Sequence, residues 1–316
     1  MRITRGYGRS AAGDAWTRGA SAAIGNFDGV HLGHAALLKA AGEAVPGAPE
    51  AVVTFEPHPR RFFQPDAPPF RLTTAAERVR LVERLGAAQL CEIAFDAHLS
   101  AMSPETFARA VLVEGLGLAH VTVGEDFRFG KGRAGGAEAL EALGRSLGFG
   151  VSVLGLVGDE TGEFSSTAAR AAIREGRMED AAHILGRHHA VTGRVREGDR
   201  RGRELGYPTA NLDFGEQIVP RYGVYAARVE VREGPHAGLH DAVASIGERP
   251  TFGVNAPNFE VHLFDFAGDL YGTGIVARLV RFLRPEVAYE GPEALIAQMD
   301  RDSEAARAVL AQVGEP

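Results

Sequence analysis

The chain has 316 residues, 45% of them apolar and 24% charged, material for two cored domains and not for a disordered chain. Its 34 basic and 41 acidic side chains leave a net charge of −7 with no basic half, which excludes a dedicated nucleic-acid binder. One cysteine, Cys91, excludes an intrachain disulfide and any multi-cysteine metal site, and the longest apolar-rich stretch, residues 146–158, is too short to span a bilayer. No secretory leader is evident, so the expectation is a soluble cytoplasmic protein with no membrane partner. Forty glycines exceed the usual share and point to loops, some of which would approach phosphates.

In chain order, residues 20–24, 51–55, 119–123 and 151–156 read as strands, interleaved with helices at 31–43, 75–85, 104–114 and 138–147. Ser103 caps the third of these helices and Pro104 starts it. That alternation predicts an α/β domain, a parallel sheet with helices on both faces. From residue 190 the grammar changes. Strands at 190–195, 223–231, 241–246, 259–266 and 275–282, punctuated by glycine and proline, predict an antiparallel barrel or sandwich. A last helix, 292–310, carries Leu295, Ile296, Met299, Ala306, Val309 and Leu310 at spacings that bury one face. The boundary is expected near 185–189, giving domains 1–185 and 186–316.

Four elements of the first half could carry chemistry. Gly25-Asn26-Phe27-Asp28-Gly29-Val30-His31-Leu32-Gly33-His34 follows the first of these strands and opens a helix. Glycines there let backbone N–H groups approach an anion, and the helix start adds positive potential. His31 and His34, three apart, share a helical face and can reach the same phosphates. A zinc pair would need a spacing of four and a glutamate between, and a phosphate loop would need a lysine. Two plain surface histidines are the alternative. His58, in Thr54-Phe55-Glu56-Pro57-His58-Pro59, lies at a strand end where open α/β sheets bind ligands, although two prolines alone describe a turn. Asp126 and Phe127, in the glycine-rich run 123–133, suit a planar ligand beside phosphates, or a solvated loop. Ser166, Thr167 and Arg170 form an anion site at a helix start, or simply a cap.

In the second half, Gly193 to Asn211 holds Arg194, Arg196, Arg200, Arg201 and Arg203, then Gly206 and Pro208-Thr209-Ala210-Asn211. An extended Thr209–Asn211 projects a hydroxyl and an amide oxygen to one face, hard donors suited to Mg²⁺ on ATP phosphates. In 259–266, alternation puts Glu260 and His262 on one face.

Taken in order, GNFDGVHLGH, TFEPHP, VGEDFRFGKGRAG, SSTAAR, GRELGYPTANL and EVHLFDFAGDLYG resemble the bacterial bifunctional riboflavin kinase/FMN adenylyltransferase, or FAD synthetase, family over nearly the whole chain. The resemblance implies a Rossmann-like nucleotidyltransferase domain and a β-barrel riboflavin kinase domain, with riboflavin, FMN, FAD and ATP as small-molecule substrates and products and Mg²⁺ as cofactor. It implies that Asn26, Phe27, Asp28, Gly29, His31, Gly33, His34, Ser166, Thr167 and Arg170 hold ATP for adenylyl transfer. His58, Asp126 and Phe127 would line the flavin. In the kinase it implies Gly193, Arg203, Gly206, Pro208, Thr209 and Asn211 for ATP, the last two with the metal, and Glu260 as general base. One departure stands out: the family continues Ser-Ser-Thr with an arginine, an aliphatic residue and a second arginine, where this chain has Ala168, Ala169 and Arg170. A kinase with a weakened adenylyltransferase half, or a non-catalytic flavin or nucleotide sensor, are the other readings.

Overall fold

In the computed structural model, which describes residues 1–7, 16, 18–198, 206–248 and 257–314, the chain divides into two units. Met1–Pro68 with Ala75–Phe164 form the first, and Pro69–Thr74 with Ser165–Pro316 the second. Arg200, Arg201 and Arg203, and residues 249–253, lie outside the described residues.

The first unit is built on a parallel sheet of β1 (Arg2–Arg5), β2 (Ser21–Ile24), β3 (Glu50–Glu56), β4 (Gln89–Ala94), β5 (His120–Gly124) and β6 (Gly150–Leu154), in the order β1-β4-β3-β2-β5-β6. Successive residues of a strand point to opposite faces, and each face meets helices. Ala22, Ile24, Ala51 and Val53 pack with Phe107, Val111 and Leu112 of the consecutive helical segments Pro104–Phe107 and Ala108–Gly115, and with Leu140 of the helix at 137–147. Ala23 and Val52 pack instead with Leu37, Leu38 and Ala41 of α1 (Leu32–Ala44) and Leu81 and Val82 of α2 (Ala75–Arg84). Both faces are covered, as a parallel sheet requires. The chain leaves β2 toward β3 on one side and returns to β5 on the other, so β2 and β5 flank a switch point whose carboxyl end is the natural ligand crevice. Cys91 is fully buried in β4, and burial pushes its thiol pKa up to about 12.

The helix at 137–147 is α3 (Ala137–Leu147), and a short hairpin, β7 (Gly158–Asp159) and β8 (Gly162–Glu163), follows the sheet. In the second unit, α4 (Ser166–Glu175) and α5 (Met178–Leu185) precede β9 (His189–Arg194), β10 (Ala210–Leu212), β11 (Gly223–Val231), β12 (Gly238–Glu248), β13 (Pro257–Leu263) and β14 (Gly274–Arg284). These six strands form an antiparallel half-barrel in the order β10-β13-β12-β11-β14-β9. One antiparallel bridge, Arg196 with Asn211, ties the chain just past β9 to the other edge strand, with Arg196 N donating to Asn211 O at 2.9 Å. Tyr225, Ala227, Val229, Phe259, Val261, Ala277 and Leu279 fill the inside, together with Ala169, Ile173, Met178 and Leu185 of α4 and α5. The segment Pro69–Thr74 joins this core: Phe70 N and Arg71 N donate to Glu216 O at 3.1 and 2.9 Å, Ile218 N donates to Arg71 O at 2.8 Å, and Leu72 is buried.

The final helix, α6 (Pro292–Leu310), covers the outer face, with Ala306 and Leu310 on Ala226, Phe264 and Val280. Its carboxyl end is capped by a buried arginine of β11: Arg228 Nη2 donates to Leu310 O at 2.9 Å and Val313 O at 2.8 Å. A cation there satisfies orphan carbonyls and opposes the helix dipole. Arg284 of β14 grips Asp302 of α6 bidentately, at 2.8 and 2.6 Å.

Candidate active sites

The loop from β2 to α1 is wound tightly. Phe27, Gly29 and Val30 have φ of 49°, 86° and 43°, a left-handed path that costs energy at the two non-glycine residues and is held by burial of both. Phe27 and Asp28 are buried, Asn26 is exposed, and Thr54 Oγ1 of β3 donates to Asn26 O at 2.9 Å. His31 caps α1, and its N–H donates to His34 Nδ1 at 3.3 Å. The imidazoles lie 3.7 Å apart by ring centroid, and the Phe27 ring stacks 4.6 Å from His34. The two histidines are therefore brought together, as their spacing predicts. Gly33 is obligatory: a Cβ there would lie 2.7 Å from Phe164 O and 3.0 Å from His31 Nδ1.

At the carboxyl end of β3, His58 is buried and acts locally, its Nδ1 accepting from Arg60 N at 3.1 Å to cap the turn Pro59–Phe63. A row of aromatic rings borders it. Phe95 touches Phe55, Phe62 and Phe63 edge-on at 6.0, 5.5 and 5.7 Å, and Phe63 is 65% exposed. Phe55 continues to Phe107, Phe129 and finally Phe127, which stacks on Phe129 at 5.6 Å. Phe127 is half-buried and Asp126 exposed. The sequence reading missed Phe62, Phe63 and Phe95; an Phe62-Phe63 pair directly after the histidine turn was the available signal. It also missed Arg78 of α2, fully buried beneath this edge, which donates to Glu56 Oε2 at 2.9 Å and Glu92 Oε1 at 2.6 Å.

The element Ser165-Ser166-Thr167 belongs to the second unit. Ser165, not Ser166, is the cap of α4, its Oγ accepting from Ala168 N at 3.2 Å. Ser166 sits in the first turn and Thr167 is exposed. Ala169 is fully buried, so its small side chain is a packing position. Arg170 Nε donates to Phe70 O at 2.9 Å and the guanidinium lies over the Phe70 ring.

In the half-barrel, Asn211 is paired directly with Glu260 across β10 and β13. Thr209 Oγ1 donates to Glu260 Oε2 at 3.3 Å, and Asn258 Nδ2 donates to Glu260 Oε1 at 2.8 Å. Asn258, Glu260 and His262 share the outer face while Phe259, Val261 and Leu263 are buried inside, as the alternation predicts. Gly198 crowds Asn211: a Cβ on Gly198 would lie 2.4 Å from Asn211 Nδ2, so a larger residue there would have to displace the Asn211 amide. Gly193, in β9, faces Leu212, and Gly206 is exposed with φ of 85°. Hydroxyl, amide and carboxylate oxygens thus converge in one place, a donor set that fits a hard cation.

Paired imidazoles at a helix start on a parallel sheet, and a Thr–Asn–Glu cluster on a half-barrel, are two separate sets of groups suited to phosphates and to a hard cation. The family model for FAD synthetase matches residues 14–168, and that for riboflavin kinase matches residues 185–310. The bifunctional riboflavin kinase/FMN adenylyltransferase of Pseudomonas fluorescens is 40% identical, over 93% of this chain and 94% of that protein. The protein of that name from Escherichia coli K12 is 38% identical, over 90% of each. A crystal structure described as a macrolide-efflux protein from Streptococcus pneumoniae superposes with a TM-score of 0.85 at 29% identity, over 97% of this chain and 99% of that one. Among the described residues here, no helix is long and apolar enough to cross a membrane. The chain belongs to the bifunctional riboflavin kinase/FMN adenylyltransferase family.

Proposed function

We propose that the chain phosphorylates riboflavin with ATP to give FMN and ADP, then transfers AMP from a second ATP to FMN, giving FAD and pyrophosphate. The observation that carries this reading is the meeting of Thr209, Asn211 and Glu260 on one face, in a chain matched by both family models. In the kinase reaction the Glu260 carboxylate accepts the proton of the riboflavin 5′-hydroxyl as that oxygen attacks the γ-phosphorus, and ADP leaves. A base so placed contributes roughly 100- to 10,000-fold. Thr209 and Asn211 would hold Mg²⁺, which would neutralise charge on the ATP phosphates. Gly193, Arg203, Gly206 and Pro208 border the nucleotide.

In adenylyl transfer the FMN phosphate attacks the α-phosphorus and pyrophosphate leaves, so the protein's work is positioning and charge neutralisation. His31 and His34 contact the triphosphate in the loop of Asn26, Phe27, Asp28, Gly29 and Gly33. Ser166, Thr167 and Arg170 contribute further phosphate contacts, and His58, Asp126 and Phe127 border the flavin. Residues 1–185 carry this activity and 186–316 the kinase. The reduced, buried thiol of Cys91 fits a cytoplasmic setting.

Incubation with riboflavin, ATP and Mg²⁺, followed by separation of the flavins, tests the proposal. FMN and then FAD are expected. FMN without FAD would assign the loss of the arginine at Ala168 a catalytic cost, and no product at all would leave only the sensor. Glu260→Gln should abolish FMN formation while FAD synthesis from supplied FMN continues.

A further inference from the structure

Strand β10 pairs with β13 through Ala210–Val261, Asn211–Glu260 and Leu212–Phe259, and the ladder stops there. The cause is Pro208, which has no N–H to donate. Its carbonyl is taken up by a side chain instead: His262 Nδ1 lies 2.9 Å from Pro208 O. A carbonyl oxygen only accepts, so the imidazole proton is on Nδ1. Two residues earlier on the same face, Glu260 receives the hydroxyl of Thr209 at 3.3 Å. Pro208 and Thr209, consecutive in the chain, are thus held by alternate side chains of one strand. Tyr207, the residue before them, lies 5.0 Å from the His262 ring and gives its hydroxyl to Asp300 of α6.

We infer that His262 is a positioning residue for riboflavin phosphorylation: its Nδ1–H, on the Pro208 carbonyl, sets Thr209 and Asn211 against Glu260. The inference rests on the reading of those three residues as the kinase site. The pairing of β10 with β13 ends at Ala210, so the imidazole, by holding the Pro208 carbonyl, ties the chain to β13 at the point where the nucleotide segment meets the base. Misplacement of reacting groups by about 1 Å costs on the order of 100-fold in rate.

The test compares wild type, His262→Leu, His262→Asn, His262→Gln and Glu260→Gln for riboflavin phosphorylation, FMN adenylylation and melting temperature. Asparagine places an amide N–H near the position of Nδ1, and glutamine near that of Nε2. His262→Leu is expected to lower the kinase kcat about tenfold or more and to raise the KM for Mg-ATP, with the KM for riboflavin, adenylylation and melting temperature little changed. His262→Asn should recover most of the loss and His262→Gln should not. Wild-type kinase kinetics in His262→Leu, equal rescue by glutamine, or a joint fall of both activities with the melting temperature would each overturn the inference. Glu260→Gln separates the two levels: a variant still forming FMN at the wild-type rate refutes the reading of the site itself. An inactive Glu260→Gln beside an unimpaired His262→Leu refutes only the role of His262.

Discussion

Replacing Arg78 by methionine isolates the charge network that underlies the carboxyl edge of the first sheet. The guanidinium is fully buried, and its partner Glu92, 2.6 Å away, is 6% exposed. Arg5, the other cation near Glu92, lies at 3.6 Å with an 83% exposed side chain, so it compensates little. Glu56, at 2.9 Å and 30% exposed, can turn to water when its partner goes. Glu92 cannot, and a charge stranded in this way typically costs about 3–5 kcal/mol. For a unit of this size that is a fall of roughly 6–20 °C in its melting temperature, at about 2–4 °C per kcal/mol. Calorimetry of Arg78→Met reads the loss directly. Adding Glu92→Gln removes the stranded charge and should return at least about 1 kcal/mol, the sign of a coupled pair. A single variant within about 0.5 kcal/mol of wild type, or a double variant no better than the single, would refute the reasoning.

Gly33→Ala sets a helix-propensity gain of at most about 1 kcal/mol against overpacking of about 1–3 kcal/mol, because the new Cβ meets the Phe164 carbonyl at 2.7 Å. Overpacking wins, so FAD formation should fall about tenfold or more while FMN formation is kept; an unchanged FAD rate contradicts it. Cys91, with its pKa pushed up from 9.0 to about 12, should resist thiol reagents at pH 8 and react only on unfolding. Its folded pKa lies above the unfolded one, so its contribution to stability is complete below pH 9 and is lost as pH climbs toward 12, which alkaline denaturation curves of Cys91→Ala would check. Finally, a fragment of residues 165–316 should melt well above one of 186–316. The shorter one strips Ile173, Met178 and Leu185 from the barrel core, on the order of 5 kcal/mol of burial. Equal melting temperatures would show that α4 and α5 contribute nothing.

What the sequence reveals follows from how local each signal is. The alternation at Asn258–Leu263 and the turn between β2 and α1 are written in residues a few positions apart, and each appears where the pattern places it. On α6, by contrast, only Ala306 and Leu310 of the expected face are fully buried, Leu295, Ile296 and Met299 are half-buried, and Asp302 is buried beside them to meet Arg284. The elements that escaped depend on distant partners. Strand β4 hides behind Gln89 and Glu92, and Glu92 is tolerated inside only because Arg78 reaches it. Strand β1 offers one apolar residue, Ile3, and is held by its backbone pairing with β4. Within the sites, the pairing of His31 with His34 was legible from helical spacing. The approach of Gly198 to Asn211 and the bond from His262 to Pro208 depend on how separate segments meet, which no local pattern encodes.

The strap Pro69–Thr74 makes the two halves of the gene unequal heirs. The backbone passes from the first unit into the second at Pro69, goes back at Ala75, and crosses for good at Ser165. Recombination between relatives at a single point near the middle of the chain therefore delivers a barrel from one parent and a strap from the other. Leu72 would then enter a core shaped for different side chains, and Phe70 and Arg71 would meet a Glu216–Ile218 edge that evolved with another partner. Mutations in residues 69–74 should be filtered by the fit of the barrel, although they lie in the coding stretch of the sheet domain. Chimeras that carry the strap along with residues 165–316 preserve that joint history.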